Sequence, residues 1–340
     1  MSVGAWRLIF PEPGVCVRLA QRLEEAGWDG AYVADSQNLT GDVFIALAQM
    51  AAVTERLGLA TGVTNPVTRH PAVAATAIAT VNEASHGRAV LGVGRGDSAL
   101  FQIGLEPAPV AAFETFLRRV RGYLRREEVD VGGHASRLRW LDRARFGPVP
   151  VDVAATGARV ISVAARVADR ISLAVGADPE RLRWAMDRAR AARAASSLAA
   201  EPLTFGCYVN VAPHEDVEAA IESLRGGVGA FAHFSGMAGS RGEGQKPEDR
   251  AVFQRLHDTY ERDKHTMNQA SHSQALDRDF IRRFAIVGPP QECIRRLREI
   301  TATGVERLVV IGPSLDADPD VRRRAEDLLR AEILPALHEV

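Results

Sequence analysis

Residues 57–101 read LGLATGVTNPVTRHPAVAATAIATVNEASHGRAVLGVGRGDSALF, and this stretch decides the fold. A short apolar run from Leu57 to Gly62 leads into a segment with two prolines, which stops a strand or a helix from continuing. Small apolar residues then recur at helical spacing from Pro71, a residue suited to the first turn of a helix. A second apolar run, Ala89–Val93, ends in a glycine-rich loop. The pattern predicts two parallel strands joined by a helix, with both loops on the same side, as in a ligand-binding βαβ unit.

Strand and helix signals alternate along most of the remaining chain. Six further strands are predicted, at residues 6–10, 30–34, 151–154, 171–175, 203–211 and 307–311. Helices are predicted at residues 15–26, 42–54, 111–126, 158–167, 178–199, 216–224, 289–303 and 319–337. Two segments depart from this rhythm: a loop excursion at 127–150, and a glycine- and histidine-rich insertion at 226–283 with at least one helix near 249–264. Eight strands with intervening helices predict an α/β fold, a single (β/α)8 TIM barrel over residues 1–340. The insertion precedes the last βα units and is predicted to lie over the barrel mouth.

The composition excludes several classes of function. The chain is 46% hydrophobic and 25% charged, and its net charge of −1 offers no electrostatic footprint for nucleic acid or an anionic membrane. It has no basic leader with a long apolar run, so a cytoplasmic protein without a membrane partner is expected. Cys16, Cys207 and Cys293 have neither disulfide nor metal-ligand spacing, which predicts buried thiols. Only Lys246 and Lys264 are lysines, both in a polar segment, which disfavours imine-forming barrel chemistry.

In such a barrel the ligand lies over the carboxyl ends of the strands. Polar residues and glycines that follow the predicted strands are expected there: Asp35, Ser36, Asn65, Arg95, Asp97, Thr156, Gly157 and Gly176. The glycines at 92, 94 and 96 lack the dinucleotide-binding spacing; they suit either a flat ring or phosphate close to the backbone, or an ordinary tight turn. Thr156-Gly157 offers free N–H groups for a phosphate, or simply caps the following helix. Asp97 either caps the following helix or, as the family resemblance given below implies, is a general acid with a raised pKa.

Four histidines fall in the predicted insertion: His233, His257, His265 and His272. Their spacing repeats no metal-binding motif, so they are interpreted as solvated or substrate-pocket residues and no metal site is predicted. Lys264-His265 is a candidate for gripping an anionic substrate or cofactor tail. His70, which stands between an arginine and a proline, is interpreted as a loop residue.

The same residues resemble a known family. GVTNPVTRHPAVAATAIAT at 62–80 and GRAVLGVGRGD at 87–97 are similar to the luciferase-like monooxygenase superfamily, as are the phrases at 29–38, 154–169 and 284–310. Within it the chain most resembles the branch that uses the deazaflavin coenzyme F420, typified by methylenetetrahydromethanopterin reductase. The resemblance implies the same barrel fold over most of the chain.

The resemblance also implies roles for particular residues. Asp97 matches an acid near the redox-active ring, and Asp35 matches the acid after the second strand that faces the deazaflavin. Ser36 stands where several relatives have a histidine, which argues against a histidine-based hydride transfer. A non-prolyl cis peptide is implied at Gly62-Val63. The implied cofactor-binding residues are Asp35, Gly62, Val63, Thr64, Asn65, Gly94, Arg95, Gly96, Thr156, Gly157, Val175 and Gly176, and the substrate candidates are Ser36, His233 and His265.

The function implied is an oxidoreductase that moves a hydride between F420 and a small organic substrate. An iminium or carbonyl-like acceptor fits the relatives, and the reverse direction stays open. The alternative is an FMN-dependent monooxygenase that uses O2 and receives reduced flavin from a partner reductase. A non-catalytic barrel that binds flavin or another ligand is a second alternative. The resemblance also implies a homodimer formed through barrel helices.

Overall fold

A computed structural model of the chain describes residues 3–12, 14–237 and 242–339. Met1, Ser2, Pro13, residues 238–241 and Val340 lie outside the described residues, although the predicted domain includes all of them and the predicted insertion includes 238–241. That residues 1–340 form one domain stays a prediction.

The barrel consists of parallel strands that lie where the apolar runs predict them. The described strands are β1 (Gly4–Ile9), β2 (Gly30–Val33), β3 (Gly58–Thr61), β4 (Ala89–Val93), β5 (Val129–Val131), β6 (His134–Ser136), β7 (Val151–Ala155), β8 (Arg170–Leu173), β9 (Thr204–Pro213), β10 (Ile286–Gly288) and β11 (Arg307–Ile311). Eight of them close into a ring in the order β8-β9-β11-β1-β2-β3-β4-β7, with β7 pairing back to β8. The predicted (β/α)8 barrel is confirmed.

Helices cover the outside of the barrel. They are α1 (Cys16–Glu25), α2 (Val43–Ala51), α3 (Pro71–Ala84), α4 (Ser98–Phe101), α5 (Val110–Leu124), α6 (Ala158–Val167), α7 (Pro179–Ala194), α8 (Val217–Ser235), α9 (Arg250–Thr259), α10 (Ser271–Gln274), α11 (Arg278–Phe284), α12 (Pro290–Thr301), α13 (Pro319–Leu328) and α14 (Leu334–His338), the last two joined by a π-helical turn. Asp42, Asp178 and Asp216 cap helices by accepting backbone N–H bonds. In the part of the chain that the structure describes, none of the helices is both long enough and apolar enough to cross a membrane.

Two segments differ from their predictions. The loop excursion contains the antiparallel hairpin β5–β6. Helix α8, predicted to end at Leu224, continues to Ser235 through a run of glycines. A side chain at Gly226 would collide with the backbone of Thr266, which packs directly against the helix. These glycines therefore allow the segment of Thr266 to pack closely against helix α8. They do not mark the end of the helix.

A short additional strand was also missed. Strand β10 pairs in parallel with the carboxyl end of β9, with Ile286 opposite Val211. It comprises three residues, too few for a period-two pattern to reveal. Cys16, Cys207 and Cys293 are free and buried, as predicted.

The interior of the barrel holds a buried charged network below the mouth. Asp152 on β7 accepts hydrogen bonds from Tyr32, from Ser172 at 2.8 Å and from Arg307 at 3.0 Å. The ring of Tyr32 contacts the ring of Tyr208 edge to face, with centroids 5.8 Å apart. Since Tyr208 lines the cavity above, the network forms the floor of the site.

Candidate functional site

A cavity of about 290 Å³ opens at the carboxyl ends of the barrel strands. The predicted site residues that line it are Asp35, Ser36, Gly62, Val63, Asn65, Gly94, Arg95, Gly96, Asp97, Thr156 and His265. Apolar side chains that were not predicted complete the wall: Leu8, Phe10, Val160, Tyr208, Phe231, Phe234 and Met237. The fold thus brings together residues that are as far apart in the sequence as Leu8 and Thr266.

Five predicted residues do not line this cavity. Thr64 is buried behind the wall, where its backbone N–H donates to Gly92. Gly157 is exposed beside Thr156. Val175 lies in the hydrophobic core, and a side chain at Gly176 would collide with Phe284. His233 stands behind Asp97 and is described below.

One wall of the cavity is backbone, formed where β3 and β4 end. The Gly62-Val63 peptide bond is cis, as predicted. A side chain at Gly92 would collide with the carbonyl oxygen of Thr61, and a Cβ on Gly94 would lie 2.8 Å from Cγ2 of Val63. The glycines therefore let the ends of β3 and β4 pack closely, and Gly62 and Gly94 present backbone to the cavity beside the side chain of Val63.

Asp35 is an acid held at the edge of this wall. Its side chain is 2% exposed and forms an ion pair with Arg69 at 2.7 Å, while Gln37 donates a second hydrogen bond at 2.7 Å. Burial raises the pKa of Asp35, and the charge of Arg69 opposes that rise. Arg69 was missed as a site residue, because only the fold shows that its loop returns to strand β2. Its neighbour His70 caps α3, in agreement with its interpretation as a loop residue.

Asp97 lies on the β4 loop, immediately before helix α4. Its side chain does not cap that helix, and Oδ2 has no hydrogen-bond partner among the described residues. Burial raises the pKa of Asp97 to about 7, with Glu106 adding to the rise and the positive charges of Arg262 and Arg95 opposing it. A carboxyl group with this pKa can both hold and release a proton near neutral pH, as a general acid must.

An aromatic and histidine cluster lies next to Asp97. Nε2 of His233 is 3.8 Å from Oδ2 of Asp97, and the His233 ring stacks on Tyr260 at 3.7 Å. The hydroxyl of Tyr260 is 2.6 Å from Nδ1 of His265, which lines the cavity. Burial lowers the pKa of His233 and of His265 to about 4, so both rings are neutral at pH 7. Tyr260 was not predicted, because a lone tyrosine in a polar segment carries no sequence signal.

The start of helix α6 has no side-chain cap. Gly157 caps this helix without a side-chain hydrogen bond, which leaves backbone N–H groups open beside Thr156. Arg95 lines the cavity, and its pKa is lowered by burial and also by the charge of Arg159, so the two cations are neighbours. The open N–H groups and the two arginines suit a phosphate. Among the described residues, no group of three or more His, Cys, Asp or Glu side chains is arranged to hold a metal ion.

These features define a class of protein: a (β/α)8 barrel whose mouth combines backbone at the ends of β3 and β4, an uncapped helix start beside two arginines, and a buried acid. The model of the luciferase-like monooxygenase family matches residues 10–307, and the chain belongs to this family. The chain is similar to 5,10-methylenetetrahydromethanopterin reductase of Methanolobus tindarius, with 34% identity over 155 residues, which is 45% of this chain and 47% of that relative.

Two further comparisons extend over nearly the whole chain. An F420-dependent glucose-6-phosphate dehydrogenase of Amycolatopsis mediterranei is 27% identical over 93% of this chain and 94% of its own length. The solved structure of the coenzyme F420 dependent tetrahydromethanopterin reductase of Methanopyrus kandleri superposes with a TM-score of 0.76 and 21% identity. That match covers 99% of this chain and 100% of the solved chain, and it confirms the barrel fold.

Proposed function

We propose that this chain transfers a hydride between the deazaflavin coenzyme F420 and a small organic substrate with a carbonyl or iminium group. The chain is an oxidoreductase of the luciferase-like family. The observation that carries the proposal is the pairing of a backbone wall with Asp97 in one cavity. F420 is supported by the name of the Amycolatopsis relative, whose match covers nearly the whole chain.

The residues present fit F420. The wall at Gly62, Val63 and Gly94 would hold the ring, and Asp35 at its edge would face it. The start of helix α6 beside Thr156 would hold a phosphate. F420 supplies hydride chemistry when it is bound, and the protein supplies orientation and proton transfer.

Asp97 is the proton donor and proton acceptor in the proposed reaction. In its protonated form it donates the proton to the oxygen of a carbonyl acceptor as the hydride reaches the carbon, and in the reverse direction its carboxylate takes that proton from the alcohol. An iminium acceptor takes up the hydride without a proton. Because His233 is neutral, it gives Asp97 no full positive charge that would hold its pKa low. The apolar side chains Phe231, Phe234 and Met237 limit water around the reacting atoms.

An FMN-dependent monooxygenase is the second candidate, because the family to which the chain belongs is described as luciferase-like monooxygenases. The same wall accepts a flavin ring. This function would require O2 and a partner reductase to supply reduced flavin, and neither is needed for hydride transfer with F420.

The first experiment is equilibrium binding of F420 and of FMN to the purified protein, measured by fluorescence and calorimetry. We expect F420 to bind with a Kd at or below the low micromolar range and FMN to bind far more weakly. Gly94→Ala places a methyl group against Val63 and is expected to weaken F420 binding at least tenfold, about 1.4 kcal/mol. Gly147→Ala is the matched control, because a Cβ there meets open space. Tight binding of FMN alone would establish the flavin alternative, and binding of neither would contradict both.

We also propose that the chain forms a homodimer through α2 and α3. These helices and their neighbouring loops expose Ile45 (63%), Val73 (56%) and Leu39 (51%), an apolar surface of a kind that marks protein contacts. Light scattering is expected to give twice the 36.8 kDa mass of the chain, and Ile45→Glu with Val73→Glu is expected to give one chain mass. Leu315→Glu, which changes a side chain 66% exposed after β11, is the control and should leave the dimer intact. A wild-type protein that is monomeric at high micromolar concentration would contradict the proposal.

A further inference from the structure

We propose that Tyr260 fixes His265 as a neutral hydrogen-bond donor facing the cavity, and that this donor selects an uncharged carbonyl compound as substrate. The inference rests on the proposed function, since it assumes that the substrate occupies this cavity. It assigns Tyr260 a positioning role and His265 a role in substrate specificity.

The hydrogen bond between the two residues sets the position of the ring proton. The hydroxyl oxygen of Tyr260 lies 2.6 Å from Nδ1 of His265, and among the described residues this is the only hydrogen-bond partner of that hydroxyl. If Nδ1 carried the proton, the O–H of the half-buried Tyr260 would have no acceptor among the described residues, which costs free energy. The hydroxyl therefore donates to Nδ1, and the proton of the neutral His265 ring is on Nε2.

The ring of Tyr260 is held in place on both sides. His233 stacks on it at 3.7 Å with an angle of 12° between the planes, and His272 lies 4.2 Å from it. His272 is fully buried, and its Nδ1 accepts the backbone N–H of Glu261 at 3.2 Å. Since Tyr260 cannot turn away, the proton of His265 stays on Nε2.

Burial keeps both partners in the required protonation states. It lowers the pKa of His265 to about 4, and it raises the pKa of Tyr260. The two groups therefore stay neutral across the range from pH 6 to 8, so His265 offers a donor without a positive charge.

The surroundings of His265 favour an uncharged ligand. Phe231, Phe234 and Met237 line the same part of the wall, while Asp97 supplies the acid. The neighbouring cation Lys264 does not line the cavity, and it forms an ion pair with Glu261 at 2.6 Å. The predicted binding of an anion by Lys264 together with His265 therefore lacks its cation.

A second nearby cation is also engaged elsewhere. Arg262 lies over the ring of Phe101, with its guanidinium carbon 3.5 Å from the ring centroid. A carboxylate or phosphate placed beside His265 would thus lose its hydration and gain only the longer-range attraction of Arg262 instead of a direct ion pair. A ketone or aldehyde oxygen can accept the Nε2–H bond at much lower cost.

The position of the proton can be tested without any cofactor. Nitrogen-15 NMR of histidine-labelled protein between pH 6 and 8 is expected to show His265 with its proton on Nε2. In Tyr260→Phe, which keeps the stacked ring and removes the hydroxyl, the Nδ1 proton is expected to become populated. A wild-type ring protonated on Nδ1, or a Tyr260→Phe spectrum identical to wild type, would overturn the positioning role.

The specificity is tested with three fluorinated probes followed by fluorine-19 NMR: 4-fluoroacetophenone, 4-fluorobenzoate and 4-fluoroethylbenzene. Wild type is expected to bind the ketone most tightly. His265→Leu is expected to weaken ketone binding by about fivefold, the typical effect of one lost hydrogen bond, and His265→Gln, which retains an N–H donor, is expected to restore most of it. Ethylbenzene binding should change little in either variant, because that probe has no acceptor.

The failures of the two proposals are distinguishable. Tighter binding of the benzoate than of the ketone, an unchanged ketone affinity in His265→Leu, or no binding of any probe would each overturn the inference. These probes are measured with and without F420 in the same samples. If F420 does not bind, the proposed function fails, while the NMR and probe results still decide the role of His265.

Discussion

Replacing Asp97 by Asn is expected to lower kcat for hydride transfer between F420 and a carbonyl acceptor by about 100-fold or more, the usual effect of losing a general acid. Asn is nearly the same size and cannot deliver a proton at neutral pH. The affinity for F420 is expected to stay within about twofold of wild type, corresponding to less than about 0.5 kcal/mol. Stopped-flow measurement of F420 oxidation or reduction separates these two quantities, and an unchanged kcat would contradict the role of Asp97.

The pH dependence follows from the raised pKa of Asp97. Reduction of a carbonyl acceptor requires the protonated acid, so kcat with such an acceptor is expected to fall as the pH rises through about 7, and the reverse reaction should show the opposite trend. Glu106→Gln removes a negative charge that helps to raise this pKa, and it is expected to move the midpoint to lower pH. A midpoint that does not move would contradict the electrostatic explanation.

The same pKa affects stability, with a definite sign. The folded state holds the Asp97 proton up to about pH 7, whereas the unfolded state releases it near 3.8, the ordinary pKa of an aspartate. The contribution of Asp97 to the free energy of unfolding therefore falls as the pH rises between these values. The Asp97→Asn variant has no carboxyl group to ionise at this position. Its free energy of unfolding in urea is therefore expected to vary less with pH than that of wild type.

Replacing Arg307 by Met is expected to lower the free energy of unfolding by about 3–5 kcal/mol, because it leaves the Asp152 carboxylate buried without its cation. The side chains of Arg307 and Asp152 are 7% and 1% exposed, so water cannot substitute for the lost partner. Burial alone would lower the pKa of Arg307, but the interactions with Tyr32 and Asp152 outweigh it and raise this pKa, so the cation stays charged.

Urea unfolding at pH 7 measures this loss. Arg298→Met is the matched control, since it changes an arginine that lines the open groove next to Arg307 at the amino ends of the strands and is expected to cost less than about 0.5 kcal/mol. In the double variant with Asp152→Asn, the loss is expected to be smaller than the sum of the two single losses, because the residues share one network. A loss below about 1 kcal/mol for Arg307→Met alone would show that the network is not electrostatically coupled.

The barrel could be predicted from local sequence patterns. Apolar runs, prolines and helix caps act over a few residues, so the order of strands and helices follows from spacing alone. The residues after each strand were expected at one mouth because parallel strands share a direction, and Asp35, Asp97 and Thr156 do line one cavity. The cis bond at Gly62-Val63 came from the family resemblance and is confirmed.

Contacts between distant segments could not be predicted. The glycines of helix α8 looked like a helix end, because nothing in that run shows that the backbone of Thr266 packs against it. The partners Arg69 of Asp35 and Arg307 of Asp152 are 34 and 155 residues away in the chain. A charge in a strand pattern does not reveal which strand will supply its counterion.

By itself, then, the sequence determined the parallel barrel, the mouth at which its polar loop residues meet and the acids at strand ends. Only the tertiary structure decided that Asp97 does not cap α4 and that Tyr260 lies between His233 and His272. The physical reason is the distance along the chain over which each effect acts. Backbone periodicity is a local property of neighbouring residues, whereas burial and ionic pairing depend on which remote segments the closed barrel brings into contact.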